Sequence, residues 1–463
     1  MMGDIEAHAS ETSLVVERAW TRRDFVTRLG GAAVGLAAGG LVAGPATAGR
    51  QFLEADRYSS EVPRAWFDLS LRLVQSATGF SPPVASRAFA YAGLTLYEAV
   101  EPGMRGFRPL SRLFPGLREV PGTSLGPCHW PTVANAALAA IFRSLVPTAR
   151  AGELAALDAL EARFEGDFRA RVSPWVLARS VERGRAVAGA MFAWSQSDGG
   201  HEGYLRNFPP YTPPIGPGLW VPTPPGFLSA LQPYWGQNRC LAIGHGAAVS
   251  PGDHPPYSVE PGSAFWREAR EVYDTVNSLT AEQEAIARFW SDDPGSTPTP
   301  PGHSVSITTQ VLRGERATLA EAAETYARVG MAVSDAFVAC WHEKYRYNLL
   351  RPVTYARAQF DAGWLPLLVT PPFPEYPSGH SVQSGAAFQV LTDLFGRRYA
   401  FVDHTHDERG LAPRRFGSFL EAAEEAAISR LYGGIHFRAA IDNGLAQGRR
   451  IGLAASRLPL RRS

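Results

Sequence analysis

Apolar residues recur at three- and four-residue spacing along most of this chain, and two-residue alternation dominates nowhere. That rhythm puts one face of a helix against a core, whereas a half-buried strand needs alternation. It recurs at roughly 62–78, 82–100, 131–146, 152–170, 174–196, 263–277, 281–291, 316–345, 379–395, 417–432 and 436–456. "PRAWFDLSLRLVQSA" and "SFLEAAEEAAISRLYGG" show it most clearly. The prediction is an all-α fold of packed helical bundles. The 463 residues, 45% of them hydrophobic, suffice for a large core. We expect one helical domain over 49–463, with an N-terminal helical part to about 280 and a site-bearing part over about 281–456. Two stretches break the rhythm. Residues 204–236, "YLRNFPPYTPPIGPGLWVPTPPGFLSALQPYWG", are rich in proline and aromatics, and ordered loops of that length often cover sites. Residues 292–303, "DDPGSTPTPPGH", form the second break.

The net charge of +1, with no basic block beyond a short arginine-rich C-terminal tail, argues against nucleic acid as a partner. Near the N-terminus, "TRRDFV" precedes a glycine- and alanine-rich apolar run over 29–44 and then "PATAGR". Paired arginines, a weakly apolar stretch and a small-residue cleavage site make 1–48 a twin-arginine export signal. The run falls short of the roughly 18–20 apolar residues a membrane span needs. The expectation is therefore a periplasmic or extracellular protein, folded before the twin-arginine machinery exports it and without a transmembrane anchor. Cys128, Cys240 and Cys340 are odd in number and widely spaced, which suits neither a disulfide framework nor a zinc site.

Among 45 basic residues only one, Lys344, is lysine, and it lies seven residues before an Arg351–Pro352 pair. Two further segments carry groups of matching chemistry. "FPEYPSGHS" supplies Ser378, Gly379 and His380 at a helix start, where a hydroxyl and free N–H groups meet the positive end of a helix dipole. "SRLYGGIHF" supplies Arg430 and His436. Guanidinium groups are planar bidentate donors and an ammonium is a compact point charge. Together they would bind a highly charged tetrahedral oxyanion. One histidine could then bind the central atom while the other moves protons. Each segment alone is more often a helix end, a cap or a buried histidine, and only their conjunction points to chemistry.

The set Lys-x6-Arg-Pro, Pro-Ser-Gly-His and Ser-Arg-x5-His resembles the signature shared by vanadium-dependent haloperoxidases and type 2 phosphatidic-acid phosphatases. The resemblance is strong over about 330–450 and looser at "FWSDDPGSTPTPP"; nothing specific covers 49–280. It implies that Lys344, Arg351 and Arg430 hold the oxygens of vanadate, or of phosphate in the same site, with Ser378 and the Gly379 N–H completing the cradle. His436 would be the axial vanadium ligand and His380 the acid–base group that deprotonates hydrogen peroxide. Vanadium(V) would serve as a Lewis acid, so that halide (bromide, with chloride as the alternative) is oxidised to a hypohalous species that halogenates a small organic acceptor. Trp341 and Phe373 match aromatics of a halide pocket, and one of Asp292 and Asp293 is expected to orient Arg430.

The phosphatases of this superfamily use the residue matching His436 as nucleophile, usually with an acid four residues on. Here that position is Ala440, and Asp442 lies about 240° around an ideal helix from His436. This counts against a nucleophilic role and leaves open what holds the ring; a backbone carbonyl is one answer. A soluble acid phosphatase is the alternative enzyme, and a non-catalytic oxyanion-binding protein the third reading. Elsewhere, "PPGHS" with His303 reads as a loop joining a helix, and "DHTHD" (Asp403 to Asp407) as a solvated turn, not a cation site.

Overall fold

The computed structural model describes residues 54–117 and 126–462; the export signal expected over 1–48 lies outside them. Thirteen α-helices carry these residues, with one short hairpin and no larger sheet. Helix α1 (Glu61–Ser76) buries Val62, Trp66, Phe67, Leu69, Leu73 and Val74, the three-four stripe read from its sequence. Helices α2 (Pro82–Val100), α3 (Trp130–Leu145), α4 (Ala151–Arg169) and α5 (Pro174–Ser195) complete the N-terminal part. Further on come α6 (Ala264–Asn277), α7 (Ala281–Phe289), α8 (Thr299–Gly314), α9 (Leu319–Tyr347), α10 (Pro352–Gln359), α11 (Gly379–Phe395), α12 (Phe419–Tyr432) and α13 (Arg438–Arg457).

The central element is α9, 29 residues long and buried along most of its length. Its start is set by a capping box in which Thr318 and Glu321 exchange hydrogen bonds with each other's backbone N–H. Packed against both α2 and α11, it joins the helices of the N-terminal part to those that follow it. Helix α11 lies in turn on α13, and glycine makes that crossing close. A Cβ on Gly385 would stand 2.7 Å from the Leu445 carbonyl, and one on Gly448 would strike the Val382 carbonyl. The start of α11 is thereby held against the start of α13.

Two helices lie outside the expected set. The "PTPPGHS" stretch is itself the first turn of α8, because a proline at the start of a helix costs no hydrogen bond. Arg351 is the N-cap of the short α10, again with proline at the first helical position. The hairpin pairs β1 (Phe401–Asp403) with β2 (Arg414–Phe416), Asp403 opposite Arg414. The proline-rich 204–236 segment is pinned by main-chain hydrogen bonds, Trp220 N–H to the Asn348 carbonyl at 2.7 Å and Leu231 N–H to the Pro372 carbonyl at 2.8 Å. Among the described residues no helix is long and apolar enough to cross a membrane, and the three cysteines are free.

Candidate active site

Each piece of the site sits where a helix begins or ends, since only there are charged side chains and unspent backbone groups available together. Helix α9 ends when Asn348 adopts a left-handed conformation (φ 46°) that closes on the Lys344 carbonyl. Lys344, on the last turn, is wholly buried and donates to the carbonyls of Pro374, Glu375 and Pro377 at 2.9, 2.8 and 2.6 Å. Arg351, also wholly buried, donates from Nε to the Phe373 carbonyl at 2.8 Å and from Nη1 to the Ile435 carbonyl at 2.9 Å. The same Nη1 faces His436 Nε2 at 3.3 Å. Ser378 caps α11 by accepting the Ser381 N–H, while its own N–H reaches the Ala440 carbonyl at 3.0 Å.

Arg430 approaches from the end of α12 and donates from Nη1 to the Trp290 carbonyl at 3.0 Å. The same carbonyl hydrogen-bonds His380. Arg430 Nε and His380 Nε2 are buried without a partner. His436 follows a turn at Gly434 (φ 76°). Its Nδ1 lies 2.8 Å from Oε1 of Glu375, which also accepts the Phe437 N–H at 2.9 Å. Glu375 thus answers what orients the ring. A carboxylate does so from the stretch before Ser378, neither a backbone carbonyl nor a residue on α13. Ala440 contributes only main chain, and Asp442 is exposed on the far face of α13. The one sign of Glu375 in the sequence is an acid set in the otherwise apolar "PPFPEYP" run, where only a buried partner makes its charge tolerable.

A carboxylate on Nδ1 makes that nitrogen the N–H donor and leaves Nε2 as a lone pair. Burial, followed by the charges of Arg351, Lys344 and Arg430, holds His436 well below the usual histidine range. Burial and then Arg430 do the same for His380. Both rings are therefore neutral near pH 7, one able to donate a lone pair to a central atom and the other to accept a proton. Burial pushes the Lys344 ammonium down and the Glu375 carboxyl up, while their mutual attraction opposes both shifts. Burial brings Arg351 and Arg430 down to about 10. Three buried basic side chains facing one buried acidic one make an interior that favours an anion.

A cavity of about 590 Å³ is lined by Trp341, Phe373, Gly379, His380, Arg430, His436, Asp292 and Asp293. Lys344, Arg351 and Ser378 sit behind its wall, and the three protons of Lys344 are committed to carbonyls. The Trp341 and Phe373 rings touch, with centroids 4.9 Å apart, and the Lys344 ammonium lies 5.0 Å from the Phe373 ring. The donors fit vanadate. Arg430 Nε and His380 Nε2 are buried without partners in residues that line the cavity, and an imidazole lone pair stands beside a guanidinium.

Three expectations fail. Neither Asp292 nor Asp293 forms an ion pair with Arg430 among the described residues, and the Trp290 carbonyl holds it instead. Of the two, Asp293 exerts the larger pull on Arg430. Asp292 accepts from His303 Nδ1 at 2.9 Å and lies 3.2 Å from His406 Nε2. His303 is no loop marker. It is buried in α8, its Nε2 bonded to Asp403 at 2.7 Å and its ring stacked on Trp290 at 4.4 Å. Nor is "DHTHD" a solvated turn, since Asp403 and His406 are buried against α8 and Asp292. Partners separated by 11 and 100 residues in sequence explain why local polarity misled.

The family model for the second helical-bundle domain of vanadium chloroperoxidase matches residues 324–461. The vanadium chloroperoxidase of Curvularia inaequalis is 27% identical over an alignment covering 26% of this chain and 28% of that protein. The chain thus spans well under half the length of that curated relative. Among solved structures, the first bacterial vanadium-dependent iodoperoxidase superposes with a TM-score of 0.78 at 36% identity, over 86% of this chain and 96% of that one. A holo-type bacterial vanadium-dependent chloroperoxidase shares the fold at 17% identity and a TM-score of 0.61, over 82% and 92%. With that identity over nearly the whole of the iodoperoxidase, this chain belongs to the vanadium haloperoxidase family.

Proposed function

We propose that this protein binds vanadate and uses hydrogen peroxide to oxidise halide, delivering the oxidised halogen to a small organic acceptor. The observation that carries this reading is the pair of buried imidazoles at one cavity. The Nε2 lone pair of His436 is set by Glu375, and His380 Nε2 is unpartnered. Bound vanadate would supply a Lewis acid that activates peroxide without changing its own oxidation state. His436 would donate its lone pair to the metal, Arg430 would hold oxygens from the cavity side with Arg351 adding donors and charge from behind the wall, and the Gly379 N–H would add a donor from the start of α11. Lys344 would add positive charge from behind. His380 would take a proton from peroxide and return one as water leaves. Trp341 and Phe373 offer a weakly hydrated halide an apolar wall beside a buried cation. The 36% identical relative is described as an iodoperoxidase, which adds iodide to bromide and chloride as halides to assay. The paired arginines and apolar run before residue 49 support export by the twin-arginine route.

One observation favours the phosphatase reading. Glu375 provides the carboxylate partner that Ala440 lacks, so His436 is oriented as a nucleophile would be. A side-by-side assay separates the two. Protein incubated with orthovanadate is tested for peroxide-dependent oxidation of iodide and bromide, and untreated protein for p-nitrophenyl phosphate hydrolysis. The haloperoxidase reading expects halide oxidation that requires vanadate and drops at least about 100-fold in His380→Ala, while vanadate binding persists. Phosphate ester hydrolysis without halide oxidation refutes it, and vanadate binding without either activity supports a non-catalytic role.

A further inference from the structure

The cavity floored by His380, Arg430 and His436 opens outward through a vestibule whose wall takes no part in holding an oxyanion. That wall is built by residues of the 207–231 and 369–373 segments, tied together where Leu231 N–H meets the Pro372 carbonyl. Its rim presents Phe208, Phe227, Leu228 and Val369, which are 50, 63, 52 and 69% exposed. Large apolar side chains clustered at the mouth of a site are costly to solvate and mark a surface that something apolar covers. Phe227 adds a second, independent sign. Its φ of 48° is a left-handed conformation that bulky residues seldom adopt, and that strain is spent on holding an exposed ring at the mouth. A third sign is polar. Thr370 lines the same cavity beside Val369, is 5% exposed, and its Oγ1 has no hydrogen-bond partner. A buried hydroxyl without a partner costs free energy that a ligand hydroxyl would recover.

Apolar walls with one waiting hydroxyl describe an uncharged ligand carrying a single polar group. We infer that the vestibule binds a phenol-class acceptor, with its apolar part against Phe227, Leu228 and Val369 and its hydroxyl at Thr370, so that halogenation occurs within the pocket. This rests on the haloperoxidase reading. The halide gives two electrons to the O–O bond of hydrogen peroxide, and the resulting electrophilic halogen bonds to a ring carbon that releases its proton. In total, one phenol, one halide, one peroxide and one proton yield one halophenol and two waters. The walls of the vestibule would hold the ring near the place where the halogen is oxidised, which raises its effective concentration over acceptors in bulk water.

The test is a competition. Equimolar 4-propylphenol and 4-hydroxybenzenesulfonate are brominated by the vanadate-loaded enzyme with peroxide, and in parallel by reagent hypobromite in the same buffer. Normalised to the reagent ratio, the enzyme is expected to favour the propylphenol by roughly tenfold or more, the scale that burying a three-carbon chain provides. The double variant Phe227→Ser/Leu228→Ser alters exposed side chains only. It is expected to return the ratio to that of the reagent while triiodide formation, which needs no organic acceptor, stays within about twofold. Calorimetric titration of vanadate-free protein with 4-propylphenol gives a readout independent of turnover, and binding should weaken in the double variant. A normalised ratio near one with intact triiodide formation overturns the vestibule proposal alone, whereas absence of triiodide formation overturns the haloperoxidase reading beneath it. Should the double variant instead change the sedimentation mass of the protein, the rim is a self-association face and the proposal fails.

Discussion

Replacing Lys344 by arginine conserves charge, yet the structure predicts a large loss. The ammonium makes three hydrogen bonds, at 2.9, 2.8 and 2.6 Å, to carbonyls converging from the 374–377 segment. A tetrahedral nitrogen with three protons matches that convergence, whereas a planar fork spreads its donors over one plane and is larger. Hydrogen bonds to charged groups contribute about 1.5–3 kcal/mol each, and overpacking costs about 1–3 kcal/mol. Arginine that loses one of the three bonds and displaces its neighbours should therefore destabilise the fold by about 3–5 kcal/mol. The damage should extend to binding, because the stapled segment carries Glu375 and ends at Ser378. Urea unfolding followed by tryptophan fluorescence gives the stability change, and equilibrium dialysis against orthovanadate the affinity. Stability within about 0.5 kcal/mol of the parent protein, the range of ordinary surface substitutions, together with unchanged vanadate affinity, would refute this account of the single lysine.

Two further perturbations address the site and its support. Glu375→Gln keeps the shape and one acceptor but removes the charge that fixes His436, so vanadate affinity should fall roughly 10- to 100-fold, as for other partners of metal-binding histidines; ⁵¹V NMR titration showing less than a twofold change would contradict it. His303→Asn tests the buried cluster through pH. Burial alone would lower the His303 pKa, but Asp292 and Asp403 outweigh it and push it up to about 10. The stability this provides is complete below the unfolded value near 6.5 and fades as pH rises through about 10. The Asp403 carboxyl is held below the usual range by His303 despite its burial, so its share is lost only in acid. The gap in unfolding free energy between parent and variant should narrow from pH 6.5 towards 10; a gap that does not vary across that window would show that His303 is not charged in the folded state.

The helical architecture and the basic and histidine side chains that converge at helix ends were legible because both are local. A three-four stripe states which face is buried, and Lys344, Arg351, Ser378, His380, Arg430 and His436 sit at helix ends marked by proline, glycine or a capping serine. What escaped was relational. Glu375 carries no periodic or motif signal, and its role exists only because the α11–α13 crossing brings the 375 backbone beside His436. His303, Asp292, Asp403 and His406 read as loop polarity because the contacts that bury them span up to 100 residues. The Asp292–Asp293 pair misled for the opposite reason, since an acid near in sequence to the site was assigned to Arg430 when a main-chain carbonyl does that work.

The glycine contacts between α11 and α13 have a consequence for how a family like this can diversify. Where Gly385 and Gly448 let one backbone rest on the other, the spacing between the start of α11, with His380, and the start of α13, just after His436, is gauged by main chain on main chain. At these two glycines the nearest atoms across the crossing are all main chain. The vestibule wall is built from proline-rich loops that fold over this frame. Changes in the loops can therefore leave the spacing of the frame beneath them in calibration.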